Sequence, residues 1–236
     1  MARAAVELAP GVWRIPTAPW DLVNTFVFRD DDGQVTLVDA GLKSAPPQIL
    51  AGLEQIGSAP QDVTRLVLTH AHGDHAGGAE VLRTRLGLAG VAAHGNDANY
   101  LRTGTSPANG RLIRRFGAFG AVPVTEELYD GQLVDVGGGL RVVHTPGHTP
   151  GHVSLLHERT ALLITGDAIW NMTGHRSWPL LALCTDAGLT LETAAVLGDL
   201  EYDTVAFTHG PEIRTDAREA VRSFLAHPRR FLGRSR

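Results

Sequence analysis

Cysteine is almost missing from this 236-residue chain: Cys184 stands alone, which excludes an intrachain disulfide and a zinc site built from thiolates. Lysine is as scarce, with Lys43 standing among many arginines, a bias of composition with no function attached to it. No stretch approaches the roughly 20 apolar residues of a membrane-spanning helix. The apolar start is broken by Glu7 and Pro10 and is too short for a signal peptide. Positive charge is not in excess. A net charge of −4 and the acidic patch Asp30-Asp31-Asp32 give no electrostatic case for a nucleic-acid partner. The arginine-rich residues 222–236 read as a solvated helix end and tail. These absences lead to the expectation of a cytoplasmic protein with no membrane and no nucleic-acid partner, and they leave a homo-oligomer open. What is present is ordinary for a globular chain, 43% hydrophobic and 19% charged, with ample length for a buried core.

Periodicity places strands at 11–15, 23–29 and 35–38, with the turn signal Asp32-Gly33 between the last two. A helix is expected over 46–56, ending at Gly57, followed by a short buried strand at 66–68 and a helix to about residue 86. After a strand at 91–93, residues 96–119 read as a helical insertion with Tyr100, Leu101, Leu112, Ile113 and Phe116 as its apolar face. A second strand-rich half follows at 132–136, 140–144, 153–157 and 161–165, then a helix near 191–197, a strand at 204–207 and a last helix at 216–225. Thr36-Leu37-Val38-Asp39 and Leu163-Ile164-Thr165-Gly166-Asp167 echo each other, each a strand ending on an aspartate. Two similar halves without a linker predict one domain over 1–236.

The most informative run is Thr69-His70-Ala71-His72-Gly73-Asp74-His75. Its three imidazoles and one carboxylate all bind metal. In an extended segment His70 and His72 share a face. Gly73 lets the chain turn, placing Asp74 and His75 at the start of the next helix. Two ligands from a strand end and two from a helix start suit a pair of adjacent ions. Three further segments end on metal-binding residues after strands: His144-Thr145-Pro146-Gly147-His148-Thr149-Pro150-Gly151-His152, Thr165-Gly166-Asp167 and Phe207-Thr208-His209-Gly210-Pro211. Rigid strand ends on one edge can bring such side chains together.

This set resembles the metallo-β-lactamase superfamily over nearly the whole chain. The resemblance implies an α+β fold, the four-layer αββα sandwich. It implies that His70, His72 and His148 hold one metal, that Asp74, His75 and His209 hold a second, and that Asp167 bridges them. Asp39 matches the family's early aspartate, which accepts hydrogen bonds that order the histidine loop. His144 and His152 are expected to be structural, His94 to cap a helix, and His157, His175 and His227 to lie on the surface. A ligand set of histidine and carboxylate suits zinc first, with iron or manganese also accommodated. Two such ions about 3.5–4 Å apart share a hydroxide that attacks a carbonyl carbon, with Asp74 as the catalytic residue that orients it and shuttles a proton.

The expected function is therefore metal-dependent hydrolysis of a small-molecule lactone, ester or thioester. A bridging aspartate argues against β-lactam hydrolysis, and the roughly 27 residues after His209 argue against a standard glyoxalase II with its helical glutathione-binding domain. Two rivals share the scaffold, an iron-dependent oxidoreductase of the persulfide dioxygenase type and a phosphodiesterase. Trp20, Tyr100, Trp170, Asn171 and Trp178 are the expected pocket residues, with the insertion around Tyr100 as a lid and an apolar acyl group as the substrate's recognised part.

Overall fold

The computed structural model describes residues 4–107 and 117–227. Seven strands form one sheet in the order of the chain: β1 (Val6–Ala9), β2 (Val12–Pro16), β3 (Asn24–Arg29), β4 (Val35–Val38), β5 (Val63–Val67), β6 (Val91–His94) and β7 (Val124–Leu128). The first four pair antiparallel, and β4 to β7 run parallel. Parallel neighbours need a crossover, and α1 (Pro46–Gln55), α2 (Ala79–Leu86) and α3 (Gly95–Thr103) supply the three. The second sheet has the order β12-β11-β10-β9-β8, built from β8 (Leu133–Val134), β9 (Leu140–His144), β10 (Val153–His157), β11 (Leu162–Ile164) and β12 (Thr204–Ala206). Helices α4 (Ala187–Thr193) and α5 (Ala217–Ala226) complete the described elements used below.

Alternation along the strands builds the layers. Val27, Leu37 and Leu66 face the core shared with α1, α2 and α3, whereas their neighbours Phe26, Phe28, Val38 and Val67 face the second sheet. On that sheet Val142, Leu155 and Ile164 point back between the sheets, and Val143, Leu156 and Leu163 point to the layer of α4 and α5. Covered on both faces, these strands read as continuous apolar runs. The result is the four-layer αββα sandwich.

Both sheets offer the same edge to the site. Asp39 follows β4 and the histidine run follows β5, at the carboxyl ends of parallel strands where clefts form. In the second sheet β9, β11 and β12 all end on one edge, since β10 runs antiparallel to β9 and β11 while β12 is parallel to β11. Two backbone hydrogen bonds stitch the sheets there: Val153 N donates to Thr69 O at 3.0 Å, and Asn24 N donates to Thr208 O at 2.9 Å.

Several expectations need correction. Strands β1 and β7 were not anticipated. Both are edge strands, and β7 (Val-Thr-Glu-Glu-Leu) is too polar to read as one. Asp74 and His75 do not open a helix: α2 begins at Ala79, and the two residues lie in a turn closed by Ala76 N donating to His72 O at 2.7 Å. Helix α4 starts earlier than its apolar spacing suggested, because the Asp186 side chain caps it by accepting Leu189 N–H at 2.9 Å. Of the expected insertion over 96–119, α3 covers the first part, Phe119 joins the helix-side core, and 108–116 lie outside the described residues. His157 is buried rather than on the surface: it packs edge-on against Phe28 and donates from Nε2 to Gly137 O at 3.3 Å.

Candidate metal centre

Every residue expected at the metal site converges. Among the described residues, ligand atoms within 4.8 Å of one another form three groups: His70, His72 and His148; His70, His75 and Asp167; and Asp74, His75 and His209. Asp167 joins them. Its Oδ2 lies 3.2 Å from His148 Nε2, and its Oδ1 lies 3.2 Å from His209 Nε2 and 3.4 Å from His75 Nε2. Asp74 Oδ2 is 3.5 Å from His209 Nε2 and 3.7 Å from His75 Nε2.

The far nitrogens of His70, His75 and His209 are committed elsewhere, which turns their other nitrogens inward. His75 Nδ1 donates to Asp39 Oδ2 at 2.8 Å, His209 Nδ1 donates to the Leu22 carbonyl, and His148 Nδ1 faces Cys184 Sγ at 3.4 Å. His70 Nδ1 donates to Thr69 Oγ1 at 3.0 Å, and that hydroxyl in turn donates to Asp39. The inward nitrogens then approach one another closely: His72 Nδ1 and His148 Nε2 at 2.9 Å, and His75 Nε2 and His209 Nε2 at 3.3 Å. His70 Nε2 is buried with no hydrogen-bond partner among the described residues. Nitrogens this close need a positive charge shared between them, either a proton or a metal ion. The donors present fit metal ions.

Electrostatics agree. Burial and His148 push His72 down to about 3, so it is a neutral ligand at any physiological pH. Burial opposes protonation of His75 too, but Asp167, Asp74 and Asp39 outweigh it and hold His75 up to about 10. His148 stands at about 9, where Asp167 overcomes burial. Burial works to raise Asp167, yet His209, His75 and His148 hold it well below the usual carboxylate range.

Local chain geometry serves these contacts. Asp39 sits in the left-handed region at φ 66°, a conformation aspartate tolerates better than most side chains. That bend after β4 aims its carboxylate at Thr69 and His75. Gly166 has φ 54°, and a Cβ there would come within 2.5 Å of His152 Nε2, the atom that accepts Asp167 N–H at 2.7 Å. His152 is thus structural, as expected. His144 stacks on His94 with ring centroids 3.9 Å apart, and His94 Nδ1 accepts Asn96 N–H at the start of α3.

A family model for the metallo-beta-lactamase superfamily matches residues 18–222. The chain belongs to that superfamily. The probable metallo-hydrolase YybB of Bacillus subtilis is 28% identical over 193 residues, covering 81% of this chain and 82% of that one. A hydroxyacylglutathione hydrolase of Cereibacter sphaeroides is 34% identical over 143 residues, 59% of this chain but 45% of its own length. The crystal structure of a metallo-beta-lactamase family protein from Thermus thermophilus superposes with a TM-score of 0.72 at 26% identity, covering 94% of this chain and 80% of that one. A divalent-metal site is a property of this superfamily, and the histidine and aspartate cluster is its counterpart here.

The expected pocket residues divide. Trp20 is 86% exposed, in the loop whose Leu22 carbonyl accepts His209 Nδ1–H, so the loop abuts the site. Trp170 is buried with its ring 4.5 Å from that of His209. Asn171 is a brace: its N–H donates to His209 O at 2.9 Å and its Nδ2 to Pro211 O at 2.7 Å. Tyr100 and Trp178 are not pocket residues. Tyr100 packs on the helix-side core, and Trp178 lies in the core under α5 with its ring 4.8 Å from Phe224. Cys184 beside His148, and Thr208, whose Oγ1 donates to Asp167 Oδ1 at 2.7 Å, went unnoticed as supports. Thr208 adjoins His209 in the motif, a signal that was available; Cys184 is 36 residues from His148 and gave none.

Two outcomes follow from this geometry. An ion must displace the protons on His75 and His148, so zinc affinity should rise from about pH 6 to about pH 8, with protons released on binding. Titration in weak buffer with a pH indicator checks this, and binding without proton release would contradict it. Trp178→Ala should lower stability by about 3–5 kcal/mol in urea unfolding and leave KM unaltered, because its ring fills the core.

Proposed function

We propose that the chain hydrolyses a small lactone, ester or thioester with two divalent ions, zinc first, one held by His70, His72 and His148 and the other by Asp74, His75 and His209. The observation that carries this reading is Asp167, whose two oxygens are each directed at a different group, 3.2 Å from His148 and 3.2 Å from His209. The class of metal-dependent hydrolase follows from the family and from relatives named metallo-hydrolases. The donor geometry supports the reading of two ions, and a carbonyl substrate is part of the same proposal.

Ions bound there would supply Lewis acidity, polarising a carbonyl and bringing water towards a pKa of ~7. The chain's own groups do the rest. Asp39 and the Leu22 carbonyl hold His75 and His209 with Nε2 inward. Asp74 is the ligand candidate most open to solvent, with its side chain 35% exposed, so its carboxylate is placed to take a proton from the attacking water and pass it to the leaving group. The Trp20 loop lies beside the His209 side of the site and favours an apolar acyl group. A one-iron oxygenase would leave Asp74, His75 and His209 without a task.

Elemental analysis of protein purified without chelator tests the reading, paired with rates on a homoserine lactone, a thioester, a phosphodiester and a β-lactam. About two ions per chain with lactone or thioester turnover is expected. His72→Ala and Asp167→Ala should each lose metal and at least ~100-fold in rate while the chain stays folded. One iron with oxygen uptake, or a phosphodiester or β-lactam as the best substrate, would overturn it.

A further inference from the structure

The first turn of α3 carries a carboxylate that the proposed reaction does not use. Asp97 is fully buried, and its hydrogen bonds run to both loops that hold one set of ligands. Its Oδ2 accepts Ala71 N–H at 2.8 Å and Thr149 Oγ1–H at 2.6 Å, and its Oδ1 accepts Gly151 N–H at 2.7 Å. Ala71 stands between His70 and His72, and Thr149 follows His148. One carboxylate therefore clasps the histidine run after β5 to the loop between β9 and β10.

We infer that Asp97 is the positioning residue that holds His70, His72 and His148 together as one metal position, separately from the other; this rests on the two-ion reading above. The second position has its own anchors. His75 is tied to Asp39 and His209 to the Leu22 carbonyl, and Asp39 reaches the first group only through Thr69 to His70. The loop is shaped for the clasp. A Cβ on Gly151 would come within 2.5 Å of Asp97 N and 2.8 Å of its Cγ, so only glycine lets the loop approach this closely. Asn96 adds a neighbouring tie, its Nδ2 donating to Pro150 O at 3.4 Å. Without the carboxylate, two buried backbone N–H groups lose their acceptor, and the loops relax apart to satisfy them.

The test measures zinc affinity, by competition with a chromophoric chelator, in two backgrounds that each keep one position. His209→Ala keeps the His70, His72 and His148 position, and His72→Ala keeps that of Asp74, His75 and His209. Adding Asp97→Asn or Asp97→Ala should weaken zinc binding by about 10–100-fold in the first background and by less than about twofold in the second. Equal weakening in both would make Asp97 a general structural residue, and no change in the first would remove it from metal holding; either overturns the inference. Thr149→Val deletes one donor to the same carboxylate at nearly constant volume and decides the matter if the Asp97 variants do not fold. A several-fold weakening confined to the His209→Ala background is expected from it, and its absence overturns the inference. Cobalt(II) absorption in the His209→Ala protein should shift on adding Asp97→Asn. A parent chain that binds one ion would refute the two-ion reading yet leave the Asp97 comparison in His209→Ala intact, so the two failures are distinguishable.

Discussion

Asp74 and Asp167 crowd around inward-facing histidine nitrogens, Asp39 holds His75 from its far side, and the rest of the structure is arranged around that charge. Asp39 and Asp167 are almost completely buried. An unpaired buried carboxylate costs several kcal/mol in effective terms, so positive charge has to stand close by. In the free protein it resides as protons on His75 and His148, which burial alone would have stripped. Divalent ions answer the same demand with twice the charge, and the inward nitrogens and carboxylate oxygens are the donors they would take in place of those protons.

Holding that arrangement requires two sheets to meet at one edge. The stitches Val153 to Thr69 and Asn24 to Thr208 each lie next to a ligand segment, so the sheets are registered where accuracy matters most. Three of the six non-glycine residues with positive φ among the described residues, Trp20, Asp21 and Asp39, lie near this edge. Such residues persist where their surroundings over-determine them. At Asp21 a buried Arg14 does so, paired with Asp21 and Glu212 at 2.9 Å each and bonded to Asn24 at 3.1 Å. Arg14 thereby links β2 to the loop that follows His209. That loop is fixed from below by charge and from the side by Asn171.

The clustering of these histidines and aspartates was legible because their chemistry is local and rare: four of them fall within Thr69 to His75, and the others sit beside glycine, proline or threonine at strand ends. The layers were legible too, from apolar runs such as Val153-Ser154-Leu155-Leu156. Tyr100 and Trp178 were misplaced for a simple reason. An aromatic side chain is as suited to a core as to a pocket, and only the packing of α3 and α5 decides which it joins. His157 deceived in the opposite sense, since a polar residue reads as surface until Phe28 and Gly137 are seen around it. Asp97 was unreadable because two of its three donors are backbone N–H groups, 26 and 54 residues away, that no side chain announces.

This division also separates chemistry from substrate. The 143 residues aligned with a hydroxyacylglutathione hydrolase amount to 45% of that protein, so the match carries the common fold and cluster and not the remainder of the relative. In this chain the clustered histidines and aspartates stand at strand ends braced by Asp39, Arg14 and Asp97, whereas the Trp20 side chain stands in solvent on a loop that adjoins His209. Rigid groups cannot be altered without losing metal. Exposed side chains such as Trp20 can be altered at less cost, so variation in what the site admits falls on them rather than on the buried cluster.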